Sequence, residues 1–163
     1  MDVQKALYKI PVPVALVGAM QDEKHNVITV SWCTQVSKDP HLIMVSISPQ
    51  SSISPMISKT QEFVLSILPK SSEEVARICG HTRDNVEDKI KQSKLTLKDG
   101  DKLNIPRIEE AIVNFECKVS SKYTAGDHAV IIANVISADE PKEEKPLVYF
   151  DRDLVAIDNS QSK

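Results

Sequence analysis

Hydroxyl groups and one indole are concentrated between residues 27 and 49. The first apolar segment of this stretch carries Thr29, Ser31 and Trp32, and the second carries Ser46 and Ser48. If the two segments are neighbouring strands, their polar side chains and the indole meet at a shared end. A few convergent polar groups set among apolar ones are typical of a small-molecule site. We therefore expect a ligand cradle in this stretch.

Three later features extend the candidate site. Lys89 lies in a short VEDKIK segment, and His128 follows a Gly-Asp turn at the start of a long apolar segment. Ser52 and Ser54 follow Pro49 at the predicted start of a helix. Hydroxyls, an indole N–H, a lysine and a helix N-terminus together are what a phosphate monoester requires. The residue types favour a phosphate-bearing ligand.

Each of these residues also has a simpler interpretation. Thr29 and Ser31 are ordinary for outward positions of a strand, and Trp32 is more often a core residue than a ligand platform. Lys89 suits a solvated surface, and the serines suit helix capping alone. The residue types by themselves leave both interpretations open.

The common catalytic templates are absent from the sequence. Its four glycines form no dinucleotide or triphosphate loop, and no serine nucleophile elbow or zinc-protease helix is present. The four histidines lack metal-ligand spacing, so no metal site is predicted, and the acids form no recognisable dyad. Three cysteines without a CxxC pair predict reduced, buried thiols and a cytoplasmic location, with Cys33 nearest the candidate site.

The composition predicts a single folded domain over residues 1–163. The hydrophobic fraction is 41%, the charged fraction is 26% and the net charge is -3. Lys and Arg are scattered, which argues against a nucleic-acid surface. No apolar segment approaches the ~20 residues that a membrane helix needs, and we identify no signal peptide at the N-terminus.

The elements that must position these residues are mainly strands. Apolar and alternating patterns predict about eight strands, a polar turn at 21–26, a polar connection at 34–41 and a loop over 93–107. One face of the strand Ala111–Ser121 is expected to be wet, because polar residues occupy every second position. Short helices are predicted after Pro55, from Ser71 or Ser72 to an end at Gly80, and around Asn85–Lys91. The fold class is therefore mainly β with short helices, as a barrel or a sandwich. The predicted strands are Val12–Met20, Val27–Cys33, Leu42–Ser48, Glu62–Leu68, Ala111–Ser121, His128–Ala138, Leu147–Asp151 and Leu154–Ile157.

An ordered set of motifs resembles the flavin reductase-like, FMN-binding split-barrel family. The set begins with N-x-x-T-x-S-W (Asn26 to Trp32), VSKDP (Val36 to Pro40) and MVSISP (Met44 to Pro49). It continues with EFVLSILP, the Asp88–Lys89 pair, IEEAIVNFECKV and GDHAVIIANV, and it covers nearly the whole chain in order. The family includes flavoredoxins, ferric reductases and small flavin reductases.

The resemblance implies a split β-barrel homodimer with FMN at the subunit boundary. By that resemblance Asn26, Trp32 and Lys89 hold the FMN phosphate and its neighbourhood, and His128 approaches the ring or the nicotinamide as the catalytic candidate. The remaining implied site residues line the ribityl chain and the ring or present backbone groups to the isoalloxazine: Thr29, Val30, Ser31, Cys33, Ser46, Ile47 and Ser48.

The sequence departs from the family pattern at two places. Ser51 and Ile53 stand where the family usually has Arg and Thr, so Ser52 or Ser54 is expected to substitute in the phosphate grip. Ala133 replaces a glycine that is frequent after the GDH motif, which would tighten the space above the flavin.

Three functions are consistent with these features. The first is an oxidoreductase that passes electrons from NAD(P)H through bound FMN to free flavin, ferric complexes or a redox protein. The second is a flavoredoxin-type FMN electron carrier that a protein partner reduces. The third is a non-flavin β-barrel that acts as a binding module. The sequence leaves open the choice between NADH and NADPH and the physiological acceptor.

Overall fold

The computed structural model describes residues 2–81 and 86–157, with side chains described for 2–81 and 89–157. In these residues strands account for most of the regular structure, together with four short helices and one 3-10 turn (Lys70–Ser72). The helices are α1 Val3–Leu7, α2 Ser54–Thr60, α3 Glu73–His81 and α4 Val86–Ser93. The strands are β1 Val12–Pro13, β2 Ala15–Gln21, β3 Lys24–Val30, β4 Cys33–Lys38, β5 His41–Ile47, β6 Glu62–Ile67, β7 Leu97–Lys98, β8 Arg107–Ile108, β9 Val113–Ala125, β10 His128–Ala138, β11 Leu147–Phe150 and β12 Asp153–Ala156.

Seven strands form one antiparallel sheet in the order β3-β2-β6-β9-β10-β5-β4. Its two edge strands, β3 and β4, are consecutive in the chain and are joined by Ser31 and Trp32 alone. Two residues span less than about 11 Å even when extended, so the sheet must curl until its edges meet. Beside this junction the backbone N–H of Ser46 donates to the carbonyl of Trp32 at 2.8 Å, which extends the pairing of β5 with β4. The result is a split β-barrel, which confirms the predicted fold class.

Strand β2 is buried on both faces and connects two parts of the core. Ala15, Val17 and Ala19 belong to a cluster with Phe63. Leu16 points the other way, into a cluster with residues of α3 and of the small β1-β11-β12 sheet. Because both faces are covered, β2 is continuously apolar in sequence.

Two hairpin turns are tighter than the sequence predicts, and a third has the predicted length of two residues. Asp22 and Glu23, at φ values of 50° and 63°, complete the turn between β2 and β3, so the predicted polar segment 21–26 is mostly strand. Two consecutive residues with positive φ are typical of the two-residue turn that suits the twist of a hairpin. Gly126, at φ 62°, and Asp127 join β9 to β10, and Asp151–Arg152 joins β11 to β12.

The predicted connection over 34–41 is wrong, because β4 occupies most of it. β4 pairs with β5 only, and Thr34, Gln35 and Val36 are exposed in succession. Because neither face of this edge strand is buried along most of its length, its sequence does not alternate between apolar and polar residues. Its polar residues therefore resemble those of a loop. The predicted strand Val27–Cys33 is in fact parts of two strands, since β3 ends at Val30 and β4 begins at Cys33.

The apolar positions of β9 alternate as predicted. Two residues on its polar face, however, are buried and not exposed to solvent. Asn114 and Glu116 are both 0% exposed. The Glu116 carboxylate accepts backbone N–H donors from Asp101, Lys102 and Leu103 at 2.5, 2.7 and 2.9 Å. The polar side chains are therefore buried by the 99–108 segment, which they hold in place.

The helices follow the prediction with small shifts. α3 continues through Gly80 to His81, and α4 confirms the predicted short helix, of which Asn85 lies outside the described residues. The N-terminal segment includes α1, capped by Asp2, and the predicted 93–107 loop contains β7 and runs into β8. None of the helices in the described ranges has the length and apolar character needed to span a membrane.

Candidate functional site

A cavity of about 400 Å³ opens at the seam of the barrel. Its walls are the β3–β4 junction, the end of β5, the turn before α2, the end of α3, one residue of α4 and the first residue of β10. We call it the seam cavity. It is lined by Ile28, Thr29, Val30, Ser31, Trp32, Ser46, Ile47, Ser48, Gln50, Ser51, Ser52, Cys79, Gly80, Lys89 and His128. The volume lies in the range of small-molecule sites.

The strand walls contribute backbone and hydroxyl groups. Thr29, Val30 and Ser31 form one wall, and Ser46 to Ser48 form another. The Thr29 hydroxyl donates to the carbonyl of Ala76 at 2.8 Å, so it ties β3 to α3. Val30 turns its side chain into the core, which leaves its backbone to the cavity.

Lys89 brings a buried ammonium group to the cavity. It is only 2% exposed, so the interpretation as a solvated surface charge is wrong. Its Nζ lies 3.5 Å from the carbonyl of Val27, and no carboxylate of the described side chains pairs with it. Burial lowers the pKa of the Lys89 ammonium, an effect that Cys79 opposes. A buried cation with one weak partner is suited to an anionic ligand.

Asn26 and the serines before α2 lie beside this cavity. Asn26 is 2% exposed, and its Nδ2 donates to Ser52 Oγ at 2.9 Å. Its Oδ1 has no partner among the described residues. Ser52 lines the cavity, whereas the buried Ser54 hydroxyl donates to the carbonyl of Ser48 at 2.8 Å. Ser52 therefore forms part of the cavity wall, and Ser54 stabilises the turn between β5 and α2.

Trp32 and His128 stand together at the mouth. Trp32 is 52% exposed, so its interpretation as a core residue is wrong. Its ring centroid lies 4.6 Å from that of His128, with the planes at 53°. His128 Nδ1 lies 2.8 Å from Asp127 Oδ1, and this hydrogen bond lowers the pKa of the Asp127 carboxyl. The contact orients the imidazole and leaves Nε2 for a ligand.

Ten of the thirteen predicted site residues line the cavity, and Asn26, Cys33 and Ser54 do not. Cys33 is buried in the core, where burial raises the pKa of its thiol to about 11. All three cysteines are free and buried, as predicted. Ala133 is also in the core and is not a lining residue, so the expected tightening is not seen there.

Sequence reasoning missed five lining residues: Ile28, Gln50, Ser51, Cys79 and Gly80. Cys79 and Gly80 belong to α3, whose apolar face was recognised, but nothing local in the sequence indicates that this helix packs beside β3. Ile53, at the position of a family threonine, is 0% exposed and packs in the core.

The arrangement suits binding more than acid–base catalysis. Among the described residues no group of His, Cys, Asp and Glu could hold a metal ion. The cavity offers one buried cation, several hydroxyls and strand backbone, and an aromatic pair at its mouth. The fold and the site define a split β-barrel with a cavity at its seam whose lining suits an anionic ligand.

The comparisons with known proteins agree with this class. The family model for the flavin reductase-like domain matches residues 7–158. The chain therefore belongs to the flavin reductase-like family of oxidoreductases. It is 30% identical to an uncharacterised protein of Pyrococcus abyssi over 127 residues, which cover 78% of this chain and 73% of the relative. It is 23% identical to the FMN reductase (NADH) RutF of Enterobacter cloacae over 129 residues, which cover 79% and 76%.

A solved structure supports the fold. The NADH:FAD oxidoreductase SgcE6 of Streptomyces globisporus, in complex with NAD and FAD fragments, superposes with a TM-score of 0.88 at 19% identity. The match covers 98% of this chain and 93% of the other. At this identity the likeness concerns the fold alone.

Proposed function

We propose that the chain binds FMN in the seam cavity and reduces it with NAD(P)H. The observation that carries the proposal is Lys89, a buried ammonium without a carboxylate partner among the described side chains, in a cavity of about 400 Å³. A flavin mononucleotide has the matching parts: one phosphate dianion, one hydroxylated chain and one flat ring. The unpartnered Oδ1 of the buried Asn26 also supports a ligand with hydrogen-bonding groups at this end.

The residues divide by the part of the ligand that they would contact. Lys89, with Asn26 and Ser52, would hold the phosphate. Thr29, Val30 and Ser31 would border the ribityl chain, and Ser46 to Ser48 would present backbone groups to the ring. Cys33 and Ser54 would support these walls from behind, since both are buried next to lining residues.

The flavin, when bound, supplies the hydride chemistry. The residues of the seam cavity would bind the flavin, orient it and keep water from the part that they enclose. Backbone N–H groups near the ring would stabilise negative charge that develops there. Trp32 and His128 border the open side, where a nicotinamide would have to approach, and Asp127 holds the imidazole orientation.

The donor, the acceptor and the assembly belong to the proposal. NAD(P)H is proposed as donor, and free flavin, a ferric complex or a redox protein as acceptor. The name of the RutF relative, an NADH-dependent FMN reductase, supports the donor and the flavin. A homodimer is proposed because the exposed Val36 and Tyr123 are large apolar residues that a second copy would cover. The free cysteines support a reducing, cytoplasmic location, and the family match supports a single domain.

The test is to load the purified protein with FMN and add NADH or NADPH without oxygen. Rapid loss of the yellow absorbance of the bound flavin after the nucleotide is added supports the proposed reductase. Bound flavin that stays yellow with both nucleotides contradicts it and favours an electron carrier reduced by a protein. A protein that fails to bind FMN contradicts both and favours a binding module.

A further inference from the structure

Lys89 carries the only amine among the described residues that line the seam cavity. Its side chain is buried, and Nζ has one weak contact, 3.5 Å from the carbonyl of Val27. Burial lowers the pKa of the Lys89 ammonium, an effect that Cys79 opposes. A lowered pKa increases the fraction of the side chain that is a neutral amine, and the neutral amine is a nucleophile. The cavity therefore holds a buried nucleophile that the proposed hydride chemistry does not use.

The turn before α2 brings two hydroxyl groups to the same cavity. Ser52 Oγ accepts from Nδ2 of Asn26 at 2.9 Å, and Ser51 Oγ accepts from the backbone N–H of Ile53 at 3.3 Å. A hydroxyl that accepts one hydrogen bond still has its own hydrogen to donate. The two serines can thus hold the phosphate group of a small ligand while the Lys89 amine stays free to react.

Cys79 is the competing nucleophile in this cavity, and burial acts on it in the opposite direction. Its side chain is buried, and burial raises the pKa of its thiol, although Lys89 opposes this. The thiolate, not the thiol, is the reactive form of cysteine. Burial therefore favours reaction at Lys89 and disfavours reaction at Cys79.

We propose that Lys89 is a modification site for small acyl phosphates, which the seam cavity recognises by their phosphate group. A bond forms between Lys89 Nζ and the acyl carbon, and the bond between that carbon and the bridging oxygen breaks. The phosphate leaves with the electron pair of that bond and takes the proton that the amine loses. The products are an amide on Lys89 and hydrogen phosphate.

Acylation removes a positive charge from a buried position, and this has two consequences of opposite sign. An uncompensated buried ammonium destabilises the folded state, so the neutral amide raises the stability of the ligand-free protein. The amide also lacks the charge for a phosphate, so FMN binds more weakly. The second consequence rests on the proposed function, whereas the first does not. General damage to the protein would not produce both.

The experiment treats the ligand-free full chain with acetyl phosphate and follows acetylation of each lysine by peptide mass spectrometry. Lys91, at an exposed position of the same helix, is the matched control. Acetic anhydride is the reagent control, because it transfers the same acyl group and carries no phosphate. Each reaction is repeated with inorganic phosphate present and with FMN present. Thermal unfolding and FMN affinity are then measured for the treated protein and for Lys89→Gln, which is neutral like the acylated lysine.

The ratio of Lys89 to Lys91 acetylation should be at least about tenfold higher with acetyl phosphate than with acetic anhydride. Inorganic phosphate at ten times its dissociation constant should slow acetylation of Lys89 about tenfold and leave that of Lys91 within about twofold. Protein acetylated without phosphate present should bind FMN at least about tenfold more weakly than protein acetylated with phosphate present, in which Lys89 is spared. Lys89→Gln should unfold at a higher temperature than the ligand-free wild-type protein.

Two results on the wild-type protein would overturn the inference, and neither depends on how a variant folds. One is an equal ratio of Lys89 to Lys91 acetylation with the two reagents, because the phosphate would then play no part. The other is a Lys89 that stays unmodified by acetyl phosphate while Lys91 reacts. A protein that fails to bind FMN, but whose Lys89 is acetylated by acetyl phosphate and protected by inorganic phosphate, would refute the proposed flavin function and keep the modification site. The two failures are therefore distinguishable.

Discussion

Lys89 places a positive charge where water is scarce. Its side chain is 2% exposed, and the carbonyl of Val27 at 3.5 Å is a weak partner. Burying an uncompensated charge is costly, and a bound anion compensates it. Its burial was not predictable from the sequence around it, because it results from α4 packing on β3, 62 residues away in the chain.

Replacing Lys89 with Ala is expected to weaken FMN binding by about 1.5–3 kcal/mol, or roughly 10- to 150-fold, since a charge-assisted hydrogen bond is lost. Riboflavin, which has no phosphate, should bind as before. Fluorescence titration of both flavins measures this. Lys91→Ala, at an exposed position of the same helix, is the control. Equal losses for FMN and riboflavin, or no loss for FMN, would refute the phosphate role.

His25 gives a prediction about pH. Neither ring nitrogen has a partner among the described residues, and burial lowers its pKa to about 4 from 6.5. The unfolded chain therefore binds a proton at a higher pH than the folded chain does. The contribution of His25 to the free energy of unfolding is complete above about pH 6.5. It decreases by up to about 3 kcal/mol as the pH drops to about 4.

Denaturant unfolding across this pH range checks the prediction about His25. In His25→Gln the unfolding free energy should decrease much less between about pH 6.5 and about pH 4 than in the wild-type protein. His41→Gln, at an exposed position, should show the same decrease as the wild-type protein. The same slope in His25→Gln and in the wild-type protein would show that His25 is not its source.

At the scale of elements, strands with a buried face were predictable and the edge strand was not. β10 and the apolar face of β9 were recognised because burial imposes a pattern on their sequence. β4 was missed because only Cys33 of its six residues is buried. The buried positions Asn114 and Glu116 were missed because the 99–108 segment, although near in sequence, folds back over β9, and the alternating pattern of a strand does not show which face a loop covers.

Glu116→Gln tests whether this carboxylate holds the 99–108 segment. The amide would lose charge-assisted bonds to three backbone N–H groups and place its own N–H₂ among donors, so the unfolding free energy should fall by about 3 kcal/mol. Hydrogen exchange should show lost protection at Asp101, Lys102 and Leu103. Glu109→Gln, which removes an exposed ion pair with Lys98, should change little. Retained protection in Glu116→Gln would contradict the anchoring role.

At the scale of the whole molecule, closure of the sheet creates the site. The two residues between β3 and β4 bring the sheet edges together, and these residues, Ser31 and Trp32, also line the cavity. The seam then gathers Lys89 and His128 from distant segments. The ordered motifs of the sequence indicated most of these residues through family resemblance, whereas spacing alone left their roles open.

The most direct test of the flavin site uses Trp32, the single tryptophan of the sequence, which lines the seam cavity. Its fluorescence is recorded while FMN, and separately riboflavin, is added to the wild-type protein. A flavin in the seam cavity should quench the emission to saturation, with FMN binding at least about tenfold more tightly than riboflavin because of its phosphate. Emission that FMN leaves unchanged, or equal affinity for the two flavins, would contradict a flavin phosphate site at this seam.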